Sequence, residues 1–261
     1  MALKDTIKLT ILMVLKNKYI LGDKNYEINK KILLFFISLI IILLIGITIY
    51  GYQFYKETIS KEPLEDKVKE ITNNYTYVKK EDMPQNYLNA IVAIEDRRYY
   101  KHRAVDYIGI LRAIFSNMKN KEVQEGGSTI TQQVAKNIYF IEEKNVVKRK
   151  VAEAFVANDL EKNYSKDEIL EMYANIIYFG NNYYGIKEAC NGYLNKEPKD
   201  MNLSEATMMA GVPNAPSVYA PTVNKELCKE RQKQVVNAML KNGYISQEEA
   251  DSIDSSFIDE I

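Results

Sequence analysis

The sequence has one histidine, His102, among 261 residues. That excludes a multi-histidine metal centre and the H-E-x-x-H pattern of zinc peptidases. It has two cysteines, Cys190 and Cys228, in neither C-x-x-C nor metal-ligand spacing. A disulfide between them cannot be read from sequence, and two buried free thiols fit equally well. Neither sign of charge dominates, because 35 Lys and Arg balance 35 Asp and Glu. No basic field results, so no nucleic-acid partner is expected. The G-x-x-x-x-G-K-[ST] spacing of a P-loop is missing, as are internal repeats and period-two runs long enough for a sheet.

The charge that is present is uneven. Residues 1–31 carry seven Lys against Asp5, Asp23 and Glu27, a net +4, which leaves −4 for the rest. Between them, Ile32 to Tyr55 contains no charged residue. About 20 helical residues at 1.5 Å each cross the ~30 Å hydrocarbon layer. A cleaved signal peptide would have a shorter apolar core, about 7–15 residues, and a small-residue cleavage site. Here Tyr50, Tyr52 and Tyr55 follow instead and suit an aromatic interface belt. The reading is an uncleaved anchor over 32–55. Lysines before it and acids after it place the basic tail 1–31 in the cytoplasm and the remainder outside.

Residues 8–20 fit a basic amphipathic helix on the inner membrane surface or a disordered tail. Residues 56–80 are charged without clear period and read as a spacer. From Met83 the pattern turns helical, with apolar residues at 3.6-like spacing in 88–96, 107–118, 146–162 and 167–179. Ser165 with Glu168, and Ser246 with Glu249, form capping-box patterns. Gly243 sits where a helix should stop, and 211–222, GVPNAPSVYAPT, reads as a Pro-punctuated loop. The fold class is all-α, with a main domain over 81–250 and a tail at 251–261.

Four segments carry residues suited to chemistry. In AIEDRRYYKH (93–102), Glu95 and Asp96 end an apolar helix. A carboxylate at such an edge can have a raised pKa and serve as a general base or acid; the plain alternative is an acid solvated and paired with Arg97 or Arg98. In EGGSTITQQVAKN (125–137), Gly126 and Gly127 allow close approach, and Ser128, Thr129, Thr131, Gln132, Gln133 and Asn137 offer polar groups beside Lys136. An ordinary N-cap at Ser128 or Thr129 explains part of this, and a helix start also attracts anions. In KRKVAE (148–153), Arg149 and Glu153 share a helical face, as a surface pair or as a phosphate grip with Lys150. The tyrosines and asparagines of 168–189 suit a sugar-lined groove or a core with a turn at Gly180-Asn181-Asn182.

Taken in order, E-D-x-x-[FY]-x-x-H, G-G-S-T-I-T-Q-Q-x-x-K-N, R-K-x-x-E and I-L-x-x-Y-x-N-x-x-Y-F-G-x-x-x-Y-G-I resemble the peptidoglycan glycosyltransferases. These are membrane-anchored transglycosylases, related to the first domain of bifunctional penicillin-binding proteins. The resemblance covers about 83–225. It implies a lysozyme-like all-α domain with a membrane-facing jaw, for which 107–115 is in place. It implies a bacterial plasma-membrane protein that polymerises lipid II and binds the growing glycan strand, alongside other cell-wall synthesis proteins. By position, Glu95 matches the general base and Glu153 the second essential carboxylate. Lys136 and Arg149, with Lys150 beside them, match the diphosphate-binding positions. Ser128, Thr129, Gln132 and Gln133 would position sugar and phosphate oxygens; Asp96 and His102 would shape the site.

Two positions depart from the family pattern: Ala104 replaces a glycine and Tyr99 a phenylalanine. No K-T-G transpeptidase signature occurs, so the expectation is glycan polymerisation without peptide cross-linking. No protein metal site is expected; a divalent cation, Mg or Mn, bridging the substrate diphosphate stays open. Two rivals are a cleaving enzyme with a Glu general acid, which has little use for the cationic cluster, and a non-catalytic lipid II scaffold.

Overall fold

The computed structural model describes residues 2–120 and 127–261, with side chains described from residue 25 onward except at 114 and 117–120. Among the described residues there is no strand, only an isolated antiparallel bridge between Tyr178 and Tyr184. The all-α expectation holds. The chain divides into residues 1–50 and 51–261.

Helix α1 spans Ala2–Lys61. Its stretch Asn25–Lys61 is, among the described residues, the one helix long and apolar enough to cross a membrane. Ile32 to Ile45 expose Leu, Ile and Phe on every side; a helix apolar all round needs an apolar surrounding. The expected amphipathic pattern of 8–20 falls on side chains outside the described residues.

The second unit begins inside α1. Phe54, Tyr55 and Ile59 pack on its core, so the span's last turns belong to the domain. Residues 56–80, expected as a spacer, are largely helical. They complete α1 and form α2 (Leu64–Thr72), whose Leu64 and Val68 are buried and whose Ile71 packs on the core. The i, i+4, i+7 spacing of these three was hidden among charges. The tail is likewise docked: Ile258 is buried, and Phe257 and Ile261 pack on the core.

The centre is α3 (Gln85–Glu95), in which Tyr87, Leu88, Ala90, Ile91, Val92 and Ala93 are all buried. It packs against α9 (Leu203–Gly211) and α11 (Lys225–Lys241). A second group joins α5 (Ile130–Ala135) to α6 (Val146–Asn163) and α7 (Lys166–Ile176). Each buried Leu or Ile contributes ~1.5–3 kcal/mol relative to exposure. Helix α4 (Tyr107–Asn120) follows α3, and α8 (Ile186–Leu194) follows the turn at 180–182. In that turn Gly180, Asn181 and Asn182 all have positive φ.

Helix starts follow side-chain chemistry. Capping boxes close α5 (Thr129, Gln132), α7 (Ser165, Glu168), α9 (Asn202, Glu205) and α12, Gln247–Asp251 (Ser246, Glu249). Gly243 adopts φ +75° after α11, as a helix stop requires. Residues 211–222 are more ordered than a loop. They hold a 3-10 turn at Val212–Asn214 and α10 (Pro216–Tyr219), the latter begun by a proline that needs no N–H there. Cys190 and Cys228 are free and buried, and burial pushes the Cys228 thiol up to about 12.

Candidate active site

Helix α3 stops because Asp96 leaves the helical region, at φ −152° and ψ 71°. This turns the Asp96 carboxylate inward. One oxygen lies 2.7 Å from His102 Nε2, and the other accepts the Ile130 N–H at 3.2 Å. Ile130 is the first residue of α5, so Asp96 ties the start of α5 to the end of α3. The second His102 nitrogen, Nδ1, donates to the Arg103 carbonyl. An acceptor at both nitrogens favours the protonated ring. Burial opposes that charge, but Asp96 and the Arg103 carbonyl override it and raise the pKa above the ordinary 6.5.

Thr129 caps α5: its Oγ1 accepts the Gln132 N–H at 3.1 Å and donates to the Ala104 carbonyl at 2.7 Å. The Gln132 side chain returns to the Thr129 N–H. Both polar groups are buried in the cap and do not line the cleft. Gly126 of the same stretch lies outside the described residues. Ala104 serves this cap through its carbonyl, and its φ is not positive, so glycine is not required there. The Tyr99 hydroxyl donates to the Lys166 carbonyl at the start of α7, at 2.7 Å, a bond phenylalanine would lack.

Gln133, one residue on, points the other way. Its Nε2 donates to Glu95 Oε2 at 2.8 Å. Glu95 Oε1 is buried without a hydrogen bond, 3.6 Å from Arg231 Nη2. Burial raises the Glu95 carboxyl above the usual range, with Gln133 and then Arg231 pulling it back. Glu95 lines a cleft of about 680 Å³, together with Ser128, Gln133, Lys136, Asn137 and Lys150. Lys136 and Asn137 sit on a π-helical turn, Lys136–Phe140; such turns recur at functional sites. Asn137 Nδ2 donates to the Gln133 carbonyl at 2.8 Å.

Helix α6 supplies the second carboxylate. Glu153 is 0% exposed, with Arg149 Nε at 3.2 Å and Lys150 Nζ at 2.6 Å. Lys150 also donates to Ser128 Oγ at 2.9 Å, joining α6 to the polar stretch before α5. Arg149 is bound to the Glu143 carbonyl at 3.0 Å and, unlike Lys150, does not line the cleft. Folding thus brings Glu95, Gln133, Lys136, Asn137, Ser128 and Lys150 to one surface. Glu153 and Arg149 stand behind it, and Asp96, His102, Thr129 and Gln132 hold the frame.

The sequence reading missed the far wall. Arg231 of α11 is buried and bonded to the Gly211 carbonyl and Gln234. It precedes Val235 and Met239 by four and eight residues, so a lone arginine on a buried stripe was its signal. Arg97 and Lys241 also line the cleft, and with Lys136 they have no hydrogen-bond or ion-pair partner among the described residues. The cleft is therefore cationic around one buried carboxylate, which suits transfer from an anionic leaving group.

Folding also gathers a group that spacing did not reveal. Asp96, His102 and Asp106 present ligand atoms within 4.8 Å of one another, a set that can hold a metal. Its members are already engaged: Asp96 with His102, and Asp106 with Arg98 at 3.1 Å and the Ile108 N–H. None of the three lines the cleft.

A family model described as Transglycosylase matches residues 63–240. The chain belongs to this family. It is a glycosyltransferase of the peptidoglycan glycosyltransferase kind. Penicillin-binding protein 1A of Neisseria lactamica is 46% identical over 170 residues, 65% of this chain and 21% of the relative. Penicillin-binding protein 1F of Bacillus subtilis is 42% identical over 179 residues, 69% of this chain and 25% of the relative. The chain thus spans about a fifth to a quarter of the length of these relatives. The crystal structure of penicillin-binding protein 1A from Haemophilus influenzae matches 68% of this chain and 17% of its own, at 25% identity and a TM-score of 0.40. The tetrapeptide Ser116-Asn117-Met118-Lys119 has S-x-x-K spacing, but no K-T-G accompanies it in the 261 residues.

Proposed function

We propose that this transglycosylase domain polymerises lipid II into β-1,4-linked glycan with release of undecaprenyl diphosphate. The observation that carries the reading is Glu95. It is a buried carboxylate with one oxygen held by Gln133 and the other without a hydrogen bond, 3.6 Å from Arg231 Nη2, lining a cleft that also holds Lys136, which has no partner among the described residues. That second oxygen, which accepts no hydrogen bond, takes the proton from the 4-hydroxyl of the acceptor sugar as that hydroxyl attacks C1 of the donor. The C1–oxygen bond to the diphosphate breaks, and its electron pair leaves with the diphosphate. The attack is from the opposite face, so α becomes β. Lys136 and Lys150 neutralise the leaving charge as it develops. Glu153 keeps Lys150 and Arg149 in place without touching substrate. A divalent cation on the diphosphate is compatible with this arrangement, and no step depends on it.

The substrates keep their lipid in the bilayer, so the cleft belongs at the outer membrane surface, with residues 1–31 cytoplasmic. Helix α4 supports this placement: Tyr107 is 74% exposed, and Ile108, Leu111 and Phe115 on its apolar side are exposed as well. We assign it as the jaw that meets the outer leaflet. Incubating labelled lipid II with the detergent-solubilised protein tests the reading. Lysozyme-sensitive polymer from wild type and none from Glu95→Gln is expected. Polymer from both would remove Glu95 as base, and muropeptides released from finished sacculi would point to a cleaving enzyme.

A further inference from the structure

A second exposed apolar group includes a residue of the cleft wall, Ile141, and two valines shortly after it in the chain. Ile141, Val146 and Val147 are all exposed, Val146 by 55% and Val147 by 54%. Ile141 lines the same cleft as Arg112 of α4, so both segments border one opening. Two adjacent exposed valines opening a helix gain nothing from water.

The contacts of α6 show which way this turn faces. A Cβ on Gly51 would meet Val151 at 2.4 Å and the Lys148 carbonyl at 3.3 Å. Tyr52 and Tyr55 both pack on the Phe155 ring, and the Tyr55 hydroxyl donates to Asp159. Residues 51–55 therefore ascend beside α6 in the same direction as it runs. They are also the outer end of the uncharged run. Stepping back one turn from Val151 reaches Val147, about 6 Å further toward the bilayer. The flanking charges do not oppose this. Lys148 is paired with Glu143 and lies over the Phe54 ring, while Glu142 and Lys144 are exposed and can reach the headgroups.

We propose that the first turn of α6, through Val146 and Val147, inserts into the outer leaflet as a second membrane contact, five residues on from the cleft-lining Ile141. The partner is the lipid surface itself, met at the headgroup–acyl boundary. With α4, this gives the cleft two lipid-seated edges, so a polyprenyl-linked substrate enters without leaving the bilayer. The proposal rests on the anchor reading of residues 32–55.

The chain has no tryptophan, so one introduced tryptophan is the sole indole emitter. The full chain is reconstituted into phosphatidylcholine–phosphatidylglycerol vesicles, with and without bromine on the acyl chains. Four variants are compared: Val146→Trp, Val147→Trp, Ile41→Trp within the anchor and Tyr75→Trp, whose side chain is 88% exposed. Val146→Trp and Val147→Trp should show blue-shifted emission, lowered roughly twofold by brominated lipid, as burial ~5–10 Å into the interface predicts. If both behave like Tyr75→Trp while Ile41→Trp is quenched, the proposal is overturned and the anchor stands. A blue shift without bromine quenching would mean that protein, such as a second copy, covers the turn, and would also overturn it. An unquenched Ile41→Trp would sink the anchor reading and the proposal with it.

Discussion

Burying Glu95 at the end of an apolar helix raises the free energy of its ionised form, and two neighbours hold that cost in check. Between the ordinary carboxylate range and the raised folded value, the folded state keeps a proton that the unfolded chain has released. Stability therefore falls as pH rises through that window. Glu95→Gln should melt a few degrees above wild type at pH 7, with the gap closing in acid. Thermal melts across pH would detect a flat difference if burial were harmless. His102 has the same sign for a different reason. Its folded pKa lies above 6.5, so its contribution is complete below 6.5 and is lost as pH rises through the folded value. His102→Gln should cost ~2 kcal/mol, the worth of a charge-assisted buried hydrogen bond, in mild acid and less in alkali. Equal loss at both extremes in denaturant titrations would refute the imidazolium. At this scale Glu95, Lys136 and Lys150 were legible by resemblance. Arg231 was not, because its partner Glu95 is 136 residues away in sequence.

Helix α5 has six residues, too few to stand alone in water. Its cap and its packing on α6 and α7 keep it formed. Removing the Thr129 hydroxyl leaves the Gln132 N–H and the Ala104 carbonyl without partners. Thr129→Ala should cost ~1–2 kcal/mol in stability. It should reduce polymerisation more steeply than that, because Gln133 and Lys136 follow on the same turn. Thr129→Ser should restore both, and a melt unchanged in the alanine variant would show that the cap is idle. The long helices were legible from period: 88–96, 107–118, 146–162 and 167–179 all lie in or against observed helices. Helix α2 and the 3-10 turn at Ser256–Glu260 were not, since each shows too few apolar residues among its charges to carry a period.

For the whole molecule, the boundary between the units 1–50 and 51–261 falls inside a continuous helix. A chain of residues 51–261 should therefore fold with a melt close to that of the full chain. A chain of residues 63–261 should lose more than about 3 kcal/mol, because Phe54, Tyr55 and Ile59 leave the core. Matching melts for the two truncations, followed by circular dichroism, would contradict this. By itself the sequence determined the class, the uncharged helical run and the order of the motifs. Uncharged length, helical period and specific short patterns are local, and they survive without knowledge of any partner. Only the tertiary structure decided which polar residues face the cleft and which serve the frame. Thr129 and Gln133 are equally polar on paper, yet one caps a helix and the other holds Glu95. That distinction depends on which direction each side chain leaves α5 and on what α3 and α6 place there. The spacer became part of the domain for the same reason: its few apolar residues matter only because a core exists for them to meet.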